Sequence, residues 1–255
     1  MRAYPHVLDE FETLRQVVAG KSLSRFGDGE IRQAHRVCTI KPQVADAALT
    51  ERLRAILLDS GQCLVGIPNI HCPTPKAEHW NTYNVYASLL ADRQYGSAFI
   101  TRPDSAPWIN TDEYWTLLQS LWLDQDVTLV RGARKSFTKE VLLEAGARNV
   151  HEVMGPPQHA WAIYDDLMKE IGTPKRALLC LGPTATVMAV DLCAKGVHAI
   201  DLGHAGMFWK KRKKAEPLVV TPEDKAVDAE LAKTFTLYKN GVPVAGAGVT
   251  IRGAS

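Results

Sequence analysis

The sequence predicts an α/β fold in which a mostly parallel sheet is flanked by helices. Helix-like and strand-like segments alternate along most of the 255 residues. The later strand-like runs, "TLV", "ALLCL" and "AIDLG", are continuously apolar, as strands covered on both faces are. The glycine- and charge-bearing motifs RFGDGE, ITRP, VRG, LGPTAT and DLGH fall where those strands end. Ligands gather at that edge of a parallel sheet.

The elements follow in order. "HVLDEFETLRQVVAG" has apolar residues at helical spacing and stops at Gly20. "SLSRFG" is short enough for a strand and leads through Asp28-Gly29-Glu30 to a helix-like run. "DAALTERLRAILLDS" predicts a second amphipathic helix before the strand-like "QCLVGIP". "WNTYNVYASLLADRQYG" reads as a third helix leading into "SAFITRP", and "DEYWTLLQSLW" as a fourth before "DVTLVRG". "FTKEVLLEAGA" and "HAWAIYDDLMKEIG" read as the fifth and sixth, each followed by a strand, "NVHEVMGPP" and "RALLCLGP". "TATVMAVDLCAKG" is the seventh, ahead of "HAIDLGH". The Pro-containing stretches "GIPNIHCPTPKAEHW" and "ITRPDSAPWINTDEY" read as ordered loops or lids on one domain spanning residues 1–255, not as linkers.

Composition sets the class. Hydrophobic residues make up 46% and charged residues 23%, the balance of an ordinary globular protein. A net charge of +2 singles out no partner, but positions 210 to 214 are all basic. The five cysteines are odd in number and have no metal-site spacing, so reduced thiols and a cytoplasmic location are expected. The N-terminus has no apolar core of a signal peptide, and no apolar run is long enough for a transmembrane helix.

Four groups of residues can carry chemistry. Asp28 and Glu30 form a D-x-E pair that can turn two hard oxygen ligands toward one Mg²⁺ or Mn²⁺. Gly27 and Gly29 would let a diphosphate approach the backbone, and Arg25 would pair with a phosphate or orient a carboxylate. The same residues also read as a turn into a helix, with Asp28 as N-cap and Glu30 near its positive end. Gly182, Pro183 and Thr184 lie between a buried strand and a helix, which suits either an anion cradle or an ordinary capped helix. Asp201, Gly203 and His204 follow the last strand, where the histidine can be a general base, a phosphate partner or a packed residue. Arg102 and Arg131 are strand-end arginines that suit a phosphate or the surface. His71, Cys72 and His79 lack a fourth ligand and match no zinc spacing. Trp108, Tyr114 and Trp115 can stack on a sugar or base but sit at helical spacing with Leu117 and Leu118, as core residues do.

"SRFGDGE" resembles the opening motif of the GT-D-fold glycosyltransferases, first catalogued as a domain of unknown function. The likeness continues in order through "FITRPD", "DVTLVRGAR", "MGPPQHAWAIYDDL" and "LLCLGPTATVMAVDLCAKGVHAIDLGH", over roughly residues 15 to 210. The resemblance implies a single Rossmann-like domain of the GT-D type, binding a nucleotide-diphosphate sugar, with a UDP-sugar the expected donor. It implies that Asp28 and Glu30 hold Mn²⁺ or Mg²⁺ against the diphosphate. Gly203 and His204 match the family's G-H motif, so His204 is a catalytic candidate.

One departure stands out. The family continues after G-H with acidic residues, whereas this chain reads Ala205-Gly206-Met207-Phe208-Trp209 and then Lys210, Lys211, Arg212, Lys213 and Lys214. A candidate catalytic carboxylate is missing, and five cations occupy its region. Such a run suits a polyanionic acceptor or an anionic lipid headgroup, and equally a solvated basic surface. The expected activity is metal-dependent glycosyl transfer to a hydroxyl of a glycan, a glycoprotein or a modified base in DNA. The alternative is a non-catalytic nucleotide- or nucleic-acid-binding α/β module.

Overall fold

The computed structural model describes residues 3–40, 43–132 and 136–224, together with the backbone of a short antiparallel pair, Tyr238–Lys239 with Val242–Pro243. Seven strands form the main sheet: β1 (Leu23–Arg25), β2 (Leu64–Ile67), β3 (Gly96–Ser97), β4 (Asp126–Arg131), β5 (Asn149–Met154), β6 (Arg176–Cys180) and β7 (His198–Asp201). The helices are α1 (Glu10–Val18), α2 (Asp28–His35), α3 (Ala47–Leu58), α4 (Ala77–Asn81), α5 (Asp112–Gln119), α6 (Lys139–Glu144), α7 (Tyr164–Ile171), α8 (Pro183–Ala194) and α9 (Ala205–Lys213).

Strand order is β3-β2-β1-β7-β6-β4-β5, and every pairing in this sheet is parallel. The chain runs outward from β1 to β3 and returns at its end to place β7 beside β1. Leu23 lies opposite Leu64 on one side and Ile200 on the other. Residues nearly 180 positions apart therefore share one carboxyl edge near the middle of the sheet.

The apolar strand runs are explained by two cores. Along β6, Leu178 and Cys180 join one cluster, while Ala177 and Leu179 join the other. This two-residue period requires cover on both faces. Leu167, Met168 and Ile171 of α7, with Ala185, Met188, Ala189 and Leu192 of α8, cover one face of the β4–β6–β7 region. On the other, Trp122, Phe137 and Trp209 form a buried aromatic group, with Trp122 and Trp209 edge to face at 5.1 Å. Tyr114 and Trp115 are buried there too, which makes them core residues. Trp108 gives its indole N–H to the buried Glu10, 2.9 Å away.

Three elements differ from expectation. The third helix is only α4 followed by a 3₁₀ stretch over Thr82–Leu89. That tighter winding stacks residues three apart, and Tyr83 and Tyr86 meet with ring centroids 5.4 Å apart. β3 is two residues long before another 3₁₀ turn, Ala98–Thr101. α9 carries no helical pattern of charge and apolarity that marks it in advance, because Met207, Phe208 and Trp209 are adjacent in sequence and all buried. Its cations occupy the last turn, where they complement the helix dipole. All five cysteines are free thiols. Among the described residues no helix is long and apolar enough to cross a membrane.

Gly206 sets how closely α9 approaches the rest of the fold. A Cβ there would come within 2.1 Å of the Phe137 backbone nitrogen, and backbone cannot swing aside as a side chain can. Gly206→Ala is expected to destabilise the protein by about 2 kcal/mol or more, measured by urea unfolding. An unchanged midpoint would show that α9 does not pack as described.

Candidate active site

The central contact joins the ends of β1 and β7. Arg25 donates from Nε to the Asp201 carbonyl at 2.9 Å and from a terminal nitrogen to the Ala98 carbonyl at 3.1 Å. Its other terminal nitrogen lies 3.5 Å from Asp201 Oδ1. The two side chains are only 11% and 4% exposed. Burial pushes the Asp201 carboxyl up, and Arg25 and the Gly203 N–H pull it back. Thr186, from the first turns of α8, donates to the Arg25 carbonyl at 2.9 Å, and Ser24 donates to the Thr186 carbonyl at 2.8 Å. Arg25 thus fastens β1, β7 and the turn after β3 to one another. Of the two roles the sequence left open for Arg25, pairing with a phosphate or orienting a carboxylate, the structure shows the second, and Asp201, offered to the donor, is that carboxylate. Thr186 was missed; its spacing from Thr184 in LGPTAT was the available signal.

Gly203 completes this contact. Its φ is +47°, and a Cβ would sit 1.8 Å from an Arg25 nitrogen. Its N–H donates to Asp201 Oδ1 at 3.0 Å. His204 follows as the exposed N-cap residue of α9, carried on the loop that Arg25 and Asp201 fix.

Asp28 and Glu30 stand on the first turn of α2. The N-cap is Gly27 rather than Asp28, because Gly27 is extended and Asp28 is already helical. Glu30 Oε2 accepts from the Gly27 N–H at 3.0 Å, and Asp28 Oδ1 accepts from the Gly29 N–H at 2.8 Å. Each carboxylate keeps its second oxygen outside these bonds. Asp28 is exposed and Glu30 half-buried. Burial first, and then the negative charges of Asp201 and Asp28, push the Glu30 carboxyl up to about 7. A backbone hydrogen bond and Arg25 oppose that rise. Among the described residues no three His, Cys, Asp or Glu side chains converge as a complete metal-binding group, and His71, Cys72 and His79 form none. Two hard carboxylates that repel each other nevertheless fit a Mg²⁺ or Mn²⁺ ion that takes its remaining ligands from water and substrate phosphate.

The other candidates divide along the sheet edge. Arg102 follows the turn after β3, binds Asp104 through two nitrogens at 2.7 and 2.8 Å, and feels the charges of Asp28 and Glu30. Gly182 caps α8 at the end of β6, and Pro183 and Thr184 behind it are buried. Thr184 is fully sealed and its hydroxyl has no partner, so it faces no open crevice. Arg131, farther out on β4, donates to Glu152 at 2.8 Å.

The run 210–214 does not form one surface. Lys210 donates to the Ser136 carbonyl at 2.9 Å. Lys211 is buried and pairs with Asp224 at 2.8 Å, while Arg212 pairs with Asp112 at 2.7 Å and lies over the Trp115 ring. Lys213 is exposed, and Lys214 lies 3.8 Å from Glu216. Along the helix Lys210, Lys213 and Lys214 fall on one face, while Lys211 and Arg212 turn away from it toward Asp224 and Asp112.

Comparison with known proteins places this architecture. The family described as "Glycosyltransferase GT-D fold" matches residues 23–219. The chain is 29% identical over 215 residues to glycosyltransferase GlyD of Streptococcus pneumoniae serotype 4, covering 76% of this chain and 26% of that protein. It is 30% identical over 206 residues to the probable glycosyl transferase Gly of Streptococcus gordonii, covering 72% and 30%. The chain therefore spans less than a third of the length of these curated relatives. A solved structure described as a new glycosyltransferase (DUF1792) from Streptococcus sanguinis superposes with a TM-score of 0.71 at 26% identity, covering 84% of this chain and 86% of that one. A match that begins at the first residue of β1 and ends beyond α9 takes in every strand of the main sheet, and the chain belongs to the GT-D-fold glycosyltransferases.

Proposed function

We propose that this chain is a glycosyltransferase domain that moves a sugar from a nucleotide-diphosphate donor, a UDP-sugar, to a hydroxyl of a glycan acceptor, with Mn²⁺ or Mg²⁺ as cofactor. The observation that carries the reading is the acidic pair on the first turn of α2, where Asp28 and Glu30 each give one oxygen to a backbone N–H and keep the second outside these bonds. Such a site favours a cation. Asp28 and Glu30 would hold the metal, which when bound supplies Lewis-acid stabilisation of the charge on the departing diphosphate.

The chain's own residues do the rest. Arg25 and Asp201 fix the ends of β1 and β7, so that α2 and His204 keep a constant relation. Arg102 brings positive charge to the same edge for the phosphates. In the transfer, the acceptor oxygen bonds to the anomeric carbon, the bond from that carbon to the phosphate oxygen breaks, and the diphosphate leaves with the electron pair. His204, exposed at the start of α9, is the group we assign to receive the acceptor proton. The glycan acceptor is preferred to DNA because two of the five cations, Lys211 and Arg212, are engaged with Asp224 and Asp112. A binding module without turnover is the alternative, and donor hydrolysis with Mn²⁺ separates the two.

Asp28→Ala is expected to lower transfer or donor hydrolysis by about a hundredfold or more while the melting temperature stays unchanged, since Asp28 is exposed. Full turnover in this variant with Mn²⁺ would remove the metal reading. Parallel assays on glycan acceptors and on hydroxymethylated DNA test the acceptor.

Glu30→Gln gives a readout that does not depend on activity. In chelator, the wild-type carboxyl has a folded value of about 7 against an ordinary 4.5. A raised value means stability is fully present below about pH 4.5 and is lost as pH rises to about 7. The variant is therefore expected to melt higher than wild type above pH 7 and alike below pH 4.5. With Mn²⁺ added at pH 7.5, wild type should gain stability and the variant should not. A constant difference across pH would contradict the burial of a strained carboxylate.

A further inference from the structure

Two loops meet over the carboxyl ends of β2 and β3. One runs from Pro68 to Lys76 and the other from Arg102 to Ala106. At their junction the Asp104 carboxylate accepts from Arg102 Nε at 2.7 Å and Nη2 at 2.8 Å, and from Lys76 Nζ at 2.6 Å. One negative charge holds two positive ones, so the trio carries a net positive charge. The anchor is hidden and the cations are not: the Asp104 side chain is 2% exposed, Arg102 25% and Lys76 43%.

The loops are also locked through backbone. Thr74 donates from its hydroxyl to the Ser105 carbonyl at 2.5 Å, and the Ser105 N–H donates to the Arg102 carbonyl at 2.8 Å. Farther back, the buried Glu10 accepts from Ser97 at 2.7 Å, which fixes the end of β3 from which Arg102 springs. The strands beneath are neighbours, β3 beside β2 and β2 beside β1. Arg102 therefore stands at the same carboxyl edge as Asp28 and Glu30, whose charges it feels.

We infer that Lys76 and Arg102, held in place by Asp104, form a cation clamp for the diphosphate of the donor. The inference rests on the nucleotide-sugar reading above and adds Lys76 as a binding residue and Asp104 as a positioning residue. A diphosphate lying between the acidic pair with its metal and this clamp would meet positive charge on both sides. The Nη1 group of Arg102 and the remaining N–H bonds of Lys76 stay available for phosphate oxygens. Because Asp104 already orders both long side chains, little rotamer freedom remains to be lost on binding. Burial alone would raise the Asp104 carboxyl, but Arg102 and Lys76 hold it down at about 2, so it remains an ionised anchor at any working pH.

The test is calorimetric titration of the full chain with inorganic pyrophosphate in Mg²⁺, which probes the phosphate site without a base or sugar. Wild type, Lys76→Met, Lys76→Arg, Asp104→Asn and Asp28→Ala are compared. Lys76→Met and Asp104→Asn are expected to bind about tenfold more weakly or worse, and Lys76→Arg close to wild type. Lys76→Met changes a half-exposed residue, and its unchanged melting temperature would separate loss of the clamp from loss of the fold. Affinities of Lys76→Met and Asp104→Asn within about twofold of wild type would overturn the clamp, as would no binding by wild type. Asp28→Ala judges the parent reading separately. If it binds like wild type while Lys76→Met does not, the clamp stands and the metal assignment falls.

Discussion

Arg25 is the residue on which the geometry of this edge depends. A parallel sheet brings strand ends together but leaves the loops beyond them to find their own positions. Here a single guanidinium reaches the Asp201 carbonyl and carboxylate on one side and the Ala98 carbonyl on the other. A buried cation of this kind tolerates no loss of its partners; removing one member of such a pair costs about 3–5 kcal/mol because the other is left buried and uncompensated. Gly203 is the backbone counterpart of this contact, since any side chain there would occupy the space of the guanidinium. Strand, loop and helix are thereby set in one arrangement before any substrate arrives.

On that frame the acidic pair acquires its character. A carboxylate on the first turn of a helix is ordinarily stabilised by the free N–H groups and the dipole. Glu30 does receive the Gly27 N–H, yet its carboxyl is pushed up to about 7 by its partial burial and by the charges of Asp201 and Asp28. Burial and repulsion outweigh the helix start. The fold thus maintains a local excess of negative charge next to Arg102, which Asp104 holds together with Lys76. Opposite charges kept apart by separate anchors, rather than neutralising one another directly, can receive a metal and a phosphate at the same edge.

Much of the architecture was legible in the sequence because buried strands announce themselves. "ALLCL" and "AIDLG" have no polar alternation, and the structure shows why: their side chains enter two cores in turn. The motifs at the strand ends were legible for the same topological reason. Long-range pairing was not. Nothing near Arg25 in the chain indicates that Asp201 and Ala98 will be its partners, so its engagement with the protein appears only in three dimensions. Asp104 was hidden similarly: Arg102-Pro103-Asp104 looked like a strand end with a charge, and Lys76 lay in a Pro-rich loop with no periodicity. The basic run was legible as a run but not in its partners: α9 turns Lys210 to Ser136, Lys211 to Asp224 and Arg212 to Asp112, with Lys213 and Lys214 exposed. Its helix escaped notice because Met207, Phe208 and Trp209 are contiguous rather than spaced, and all are absorbed by the surrounding core.

The measurement that bears most directly on the central claim is a crystal structure of the chain grown with UDP and Mn²⁺, with the metal located by its anomalous scattering. The account predicts one strong anomalous peak ligated by Asp28 and Glu30, with the diphosphate beside it over the ends of β1 and β2 and the Arg25–Asp201 contact undisturbed. A metal bound away from this pair, or a nucleotide seated elsewhere on the sheet with the carboxyl edge empty, would contradict it.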